Sequence, residues 1–485
     1  MSLKEKLPFM AFPVQAKPLK NPKIFFIEDE LFSFKNFTNY SPQDVLQMVN
    51  GEHVQMQELY STVYCGHQFG YFVPQLGDGR VSFLGSFQKE NGEWKELHMK
   101  GLGRTPFSRR GDGRAVFRSS LREYLCSHAM KALGIPTTDA YALIDSEEIV
   151  YREVSEWGAI VLRGAQSFLR FGHVEFLYHH GYKNELEKLL DYTIEHFYTD
   201  YFSHPNAYVL FFQDLVKRTA KLLAQWQAYG FCHGVMNTDN MSLIGLTLDY
   251  GPFGFLEKFD LQHICNHSDH EGRYAFGEQP LIGQWNLERL ADCLGDFIDQ
   301  ETLKRTLDTY KELFNMEYMR LMKKRLGLIT SHETDTEVLN SLLNFLQVSA
   351  VDYHGFFRNM ATETGEDFIL QQLKSEESKT SFMQFLNLYH KRTELEWGNS
   401  SESHAERFEL MNSVNPIYVL RNYLAQKIID QHTVNDQLLK RDVVLAESAR
   451  LLKVLKNPFV EHPGCSDLSR VCPVEYQNIE VSCSS

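Results

Sequence analysis

The chain has 485 residues, enough for two or three domain-sized units around a large core. Its net charge of −14 argues against non-specific nucleic-acid binding, which needs a basic surface, but leaves room for a local basic pocket. No apolar run nears the roughly 18 residues of a membrane span, and a start with Glu5 and no Arg predicts neither a signal nor a transit peptide. Eight cysteines without a Cys-x-x-Cys pair predict a reducing, cytoplasmic setting with most thiols buried.

Residues 1–60 read as an extended arm and then a helix, "SPQDVLQMVNG", with Ser41 or Asp44 near its start. From 61 to 163 the texture is strand-rich and punctuated by Gly. "GDGRVSFLGSFQKENGEWKELHMKG" predicts a Gly turn, a strand, an Asn91-Gly92 hairpin and a strand ending at Lys100. In "RSSLREYLCSHAMKALG", Leu121, Tyr124, Leu125, Ala129 and Leu133 form a helical stripe that Gly134 and Pro136 close. "YALIDSEEIVYREVSEWGAIVLRG" reads as further strands. Residues 164–283 turn helical, with Leu215, Leu222 and Trp226 on one face of "QDLVKRTAKLLAQWQAYG". A motif loop with a short hairpin at Gly245 follows. Long amphipathic helices fill 284–460, and the tail from Pro463 reads as loop. The pattern predicts an α+β, protein-kinase-like two-lobed fold. Its parts are an N-terminal extension (1–60), a strand-rich N-lobe (61–163), a larger helical C-lobe (164–283) and a helical C-terminal extension with a Cys-containing tail (284–485).

Binding a nucleoside triphosphate takes backbone N–H groups, fixed cations and a metal ion that together offset about four negative charges. Candidates occur in kinase-like order. In "QLGDGR", Gly77 and Gly79 allow close backbone approach and Arg80 adds charge, though a plain Gly turn reads the same way. Lys100 ends a strand, as a solvated lysine also does. Glu123 is placed to orient Lys100, yet Ser120-Leu-Arg-Glu123 is equally a capping box. In "FCHGVMNTDNMSLIGLTLDYGPFGF", Asn240 and Asp249 offer hard oxygen ligands for Mg²⁺, while Val235 stands where a kinase carries its catalytic Asp. "GRTPFSRRGDGRAVFRSS" inserts a second Gly-Asp-Gly with Asp112 and Gly113. Arg163 and Arg170, seven apart, share one side of a helix if that segment is helical, as a phosphate fork or as a solvated basic face.

The stretches "YCGHQFGYFVPQLGDGR", "HMKGLGRTPFSRRGDGRAVFRSSLREYL", "SFLRFGHVEF", "CNHSDHEGRYAF" and the motif loop resemble the selenoprotein O family. The resemblance implies a kinase-like fold that binds ATP flipped and moves AMP to Ser, Thr or Tyr hydroxyls of proteins. It implies phosphate contacts from Gly77, Gly79, Arg80, Lys100, Arg163 and Arg170, with Glu123 pairing Lys100. It also implies a second nucleotide turn at Asp112 and Gly113, proton acceptance by Asp239, and Mg²⁺ or Mn²⁺ on Asn240 and Asp249. Cys483 falls where that family often carries selenocysteine. A regulatory Cys265–Cys483 disulfide is the expectation attached to it, and "HICNHSDH" adds a weak zinc alternative. ATP and protein substrates are the expected partners, with no membrane or nucleic acid, for a monomer. Uridylylation with UTP and Mn²⁺, a nucleotide-binding pseudokinase scaffold and a small-molecule phosphotransferase are the other readings.

Overall fold

A computed structural model describes residues 3–52, 59–398, 400–432, 441–477, 479 and 481. Twelve strands occur among them: β1 (Ala11–Pro13), β2 (Lys23–Ile27), β3 (Tyr60–Thr62), β4 (Gly66–Gln68), β5 (Tyr71–Val73), β6 (Val81–Gln88), β7 (Trp94–Lys100), β8 (Ala115–Val116), β9 (Asp139–Tyr151), β10 (Ser155–Ala165), β11 (Phe231–Cys232) and β12 (Gly254–Phe255). One eight-stranded sheet runs β1-β3-β6-β7-β10-β9-β2 with β8 on β10, and all its pairings are antiparallel. The N-terminal arm is therefore part of the sheet: β1 pairs β3 at one edge and β2 pairs β9 at the other. Ribbons β4-β5 and β11-β12 stand apart from it.

The sheet is covered on both faces, which follows from period-two alternation in its central strands. Along β10, Ile160 and Leu162 join Leu97, Met99 and Ile144 in one core. That core takes in the arm residues Leu31 and Phe34 and the helix α2 (Pro42–Val49), which comes after the short α1 (Leu3–Lys6). Ala159 and Val161 face Leu121 and Leu125 of α3 (Phe117–Ala132). Helix α2 begins as its sequence predicts, with Ser41 and Asp44 capping each other. Helix α3 does not. It starts after Val116, three residues before Ser120, whose hydroxyl is buried without a partner. The Ser120–Glu123 capping box is absent, so Glu123 stays available for another role.

Beyond the sheet the chain is helical: α4 (Phe171–His179), α5 (Lys183–Phe197), α6 (Ala207–Ala228), α7 (Gln279–Asp292), then nine further helices from Gln300 to Lys456 among the described residues. The last, Arg441–Lys456, returns to α3 and ties the sheet to the C-terminal region. Arg441 Nε reaches Asp145 of β9 at 2.7 Å and Lys456 reaches Glu28 at 2.5 Å. Among the described residues no helix is long and apolar enough to cross a membrane.

Candidate active site

Lys100 is the last residue of β7, flanked by β6 through Val81 and by β10 through Val161. This register aims its ammonium at α3, where Nζ meets Glu123 Oε2 at 2.5 Å. Glu123 Oε1 accepts from Arg163 Nη1 at 2.9 Å. Arg163 also donates to Asp249, to which Lys100 lies 3.7 Å away and Arg170 3.1 Å. Arg170 further donates to the Asp239 carbonyl at 3.0 Å. Three cations thus converge on Asp249, with Glu123 behind two of them.

The two arginines reach this point by a different route from the one their spacing suggests. Arg163 lies on β10 and Arg170 caps α4 with extended backbone, so the seven residues between them are not one helical face. The strand carries Arg163 in, residues 166–169 link strand to helix, and the helix start places Arg170 at the same carboxylate.

A cavity of about 650 Å³ opens in front of this cluster. Gly77, Gly79 and Arg80 line it on one side and Asp112 and Gly113 on another; Lys100, Arg170, Asn240 and Asp249 lie deeper. Gly77 has φ +147, and a Cβ there would strike the Phe107 ring. The turn is pinned from beneath by buried Asp78, whose carboxylate accepts from the Thr62 N–H (2.8 Å) and hydroxyl (2.6 Å). Asp112 is occupied by Arg152 at 2.8 Å. Glu123, Arg163 and Asp239 do not line the cavity; they stand behind the residues that do.

Charge sets the behaviour of the two carboxylates near the 233–240 loop. Burial opposes ionisation of Asp249, but Arg163, Lys100 and Arg170 overrule it and hold its carboxyl well below the usual range. Burial pushes Asp239 up to about 7, with Arg170 and Gln68 only partly opposing. Asp239 Oδ2 accepts from Gln68 Nε2 at 3.3 Å, while the buried Oδ1 has no partner. Asn240 donates through Nδ2 to the Val235 carbonyl at 2.9 Å, which leaves Oδ1 as its donor atom for a cation. Asn240 and Asp249 are hard oxygen ligands in one cavity, so the donor set fits Mg²⁺ or Mn²⁺ completed by phosphate and water.

Sequence reasoning missed Gln68 and Gly66. A Cβ on Gly66 would lie 2.8 Å from Asp239 Oδ1, so only glycine lets β4 pass this close. Both positions belong to "YCGHQFG", but contact with a residue 171 positions away leaves no local trace. Cys483 lies outside the described residues. Its expected partner Cys265 is buried, and its thiol donates to the Cys232 carbonyl at 3.4 Å. No group of three His, Cys, Asp or Glu placed to hold a metal occurs among the described residues, so the zinc alternative at 263–270 gains no support.

An antiparallel sheet joined to a helical region, with a cavity that presents glycine turns and the cations Arg80, Lys100 and Arg170 beside oxygen ligands, defines a protein whose cleft has the charge to take a polyphosphate. A family model described as protein adenylyltransferase SelO matches residues 2–447. A protein nucleotidyltransferase YdiU of Pseudomonas fluorescens (strain SBW25) is 45% identical over 423 residues, 87% of this chain and 85% of the relative. Those of Vibrio atlanticus (strain LGP32) and Aeromonas salmonicida (strain A449) are 42% and 41% identical, each covering at least 96% of both chains. The chain belongs to the SelO family of protein nucleotidyltransferases.

Proposed function

We propose that the protein transfers AMP from ATP to Ser, Thr or Tyr hydroxyls of proteins and releases pyrophosphate. Its sheet region would serve as a kinase-like N-lobe (61–163) and 164–283 as the C-lobe, with 1–60 and 284–485 as extensions, in the cytoplasm. The observation that carries the chemistry is the pairing of a cation cluster with a separate carboxylate whose Oδ1 has no hydrogen-bond partner. Lys100, Arg163 and Arg170 gather at Asp249, and Arg170 Nη1 also holds the Asp239 carbonyl. In an in-line displacement at the α-phosphorus, the acceptor hydroxyl gives its proton to Asp239 and its oxygen forms the new P–O bond. The bond to pyrophosphate breaks, and the negative charge that grows on the leaving group is met by Arg80, Lys100 and Arg170, with the charge of Arg163 behind them. Glu123 keeps Lys100 and Arg163 aimed. With the innermost phosphorus facing the acceptor, an Asp at Val235 is not required. Mg²⁺ or Mn²⁺ on Asn240 and Asp249 would supply further charge neutralisation.

Incubation with α-³²P or γ-³²P ATP, and separately with α-³²P UTP, tests this reading. Protein label from the α but not the γ position supports AMP transfer. Label from γ contradicts it, and preference for UTP moves the assignment to uridylylation.

The cluster makes metal binding conditional. A divalent ion entering alone faces three fixed cations around Asp249, whereas ATP brings about four negative charges. Calorimetry should find Mn²⁺ binding at least about tenfold tighter with a non-hydrolysable ATP analogue than without it. Equal affinities would contradict the arrangement.

Asp239 links rate to stability. Only its ionised form accepts a proton, so kcat/KM should rise with pH through about 7 and level above it. Its folded pKa lies above that of an unfolded carboxyl, so the folded state holds the proton more tightly. Stability is then lost as pH rises from the ordinary carboxyl range through 7. Asp239→Asn should abolish the pH-dependent rate yet raise the unfolding midpoint at pH 8 more than at pH 4. An equal shift at both pH values would count against a raised Asp239.

A further inference from the structure

Ribbon β4-β5 turns through Phe69 and Gly70, both with positive φ, a two-residue hairpin clamped onto the 233–240 loop. The His67 N–H donates to the Thr238 hydroxyl at 2.7 Å. The Phe69 N–H donates to the Tyr274 hydroxyl at 2.8 Å, and that hydroxyl donates to Asn237 Oδ1 at 2.7 Å. The ribbon therefore forms a shelf fixed to the residues that carry Asp239. Its outer strand exposes Tyr71 (80%) and Phe72 (37%).

Arg273 stands at the turn of this shelf. A Cβ on Gly70 would lie 3.2 Å from its guanidinium carbon, and the guanidinium lies over the Trp285 ring at 4.7 Å. Arg289 also approaches Trp285, at 5.2 Å, but is neutralised by Asp292 at 3.1 Å. Arg273 makes no ion pair among the described residues, and its buried Nε donates to nothing. The near carboxylate of Asp269 is already occupied by the backbone N–H groups of Arg273 (3.1 Å) and Tyr274 (2.7 Å). In a chain of net charge −14, a guanidinium without an ion-pair partner among the described residues, set over an indole ring beside an exposed aromatic strand, is a poised carboxylate fork.

We infer that Arg273 reads an acidic side chain on the protein segment that presents the acceptor hydroxyl, with the β4-β5 shelf supporting that segment. The inference rests on the proposed transfer to protein hydroxyls and adds a specificity for acceptors flanked by Asp or Glu.

The test uses the full chain, α-³²P ATP and three peptides with one Ser, identical except for Glu, Ala or Lys flanking it on both sides. The wild type should favour Glu over Ala by about five- to tenfold in kcat/KM, mainly through KM, with Lys lowest. Arg273→Glu should reverse the order, and Arg273→Gln, with its fold checked by thermal unfolding, should flatten it. Equal labelling of all three by the wild type overturns this inference alone. So does an Arg273→Glu variant that loses all three in proportion, which is the mark of a packing role on Trp285. No α-label in any peptide overturns the transfer reading and this inference with it.

Discussion

Asp249→Ala should lower AMP transfer by about 10²–10³-fold or more while leaving ATP binding intact or tighter when no metal is present. The asymmetry follows from the cluster. Asp249 is the carboxylate that Lys100, Arg163 and Arg170 share, and it is also a proposed metal ligand. Its removal takes away a metal donor and frees positive charge toward the phosphates in one step. A binding role alone would weaken ATP and spare the rate. Asp249→Asn, which keeps the shape, should show the same split, so a folding defect in the alanine variant would not mask it. Parallel loss of ATP affinity and rate in both variants would contradict this assignment.

The second large effect is on stability. Arg163 is 1% exposed and bridges Glu123 and Asp249. Arg163→Met keeps the stem but takes a buried cation from both carboxylates, leaving Lys100 to Glu123 and Lys100 and Arg170 to Asp249, and breaking such a buried pair costs about 3–5 kcal/mol. Urea unfolding should register that loss. Together with Glu123→Gln it should cost less than the sum of the two single losses, because the Arg163–Glu123 contact is already broken. A loss below about 1 kcal/mol, within the range of exposed ion pairs, would mean that Arg163 is not the structural centre of the cluster.

Local signals were legible where local physics decides. The Asn91-Gly92 hairpin, the strand ending at Lys100, the capped start of α2 and the α3 stripe each depend on residues close in sequence, and each is present. The Lys100–Glu123 pair was legible because only a loop and the two-residue β8 separate its strand from its helix. Elsewhere the same local logic misled. Ser120 and Glu123 carry capping chemistry, but the helix extends three residues further because Phe117 is drawn into the core against Phe25. Arg163 and Arg170 look like a helical pair because spacing alone cannot reveal that a sheet pairing claims the first. Gln68, Gly66 and Arg273 gain their positions from chain crossings remote in sequence, for which a single sequence holds no periodic sign.

The orientation of the triphosphate decides the account. A crystal structure with a non-hydrolysable ATP analogue and Mn²⁺ should place the terminal phosphate against Lys100, with Arg163 behind it, and the innermost phosphorus toward Asp239. The terminal phosphate beside Asp239, with the innermost phosphorus against the cation cluster, would contradict it.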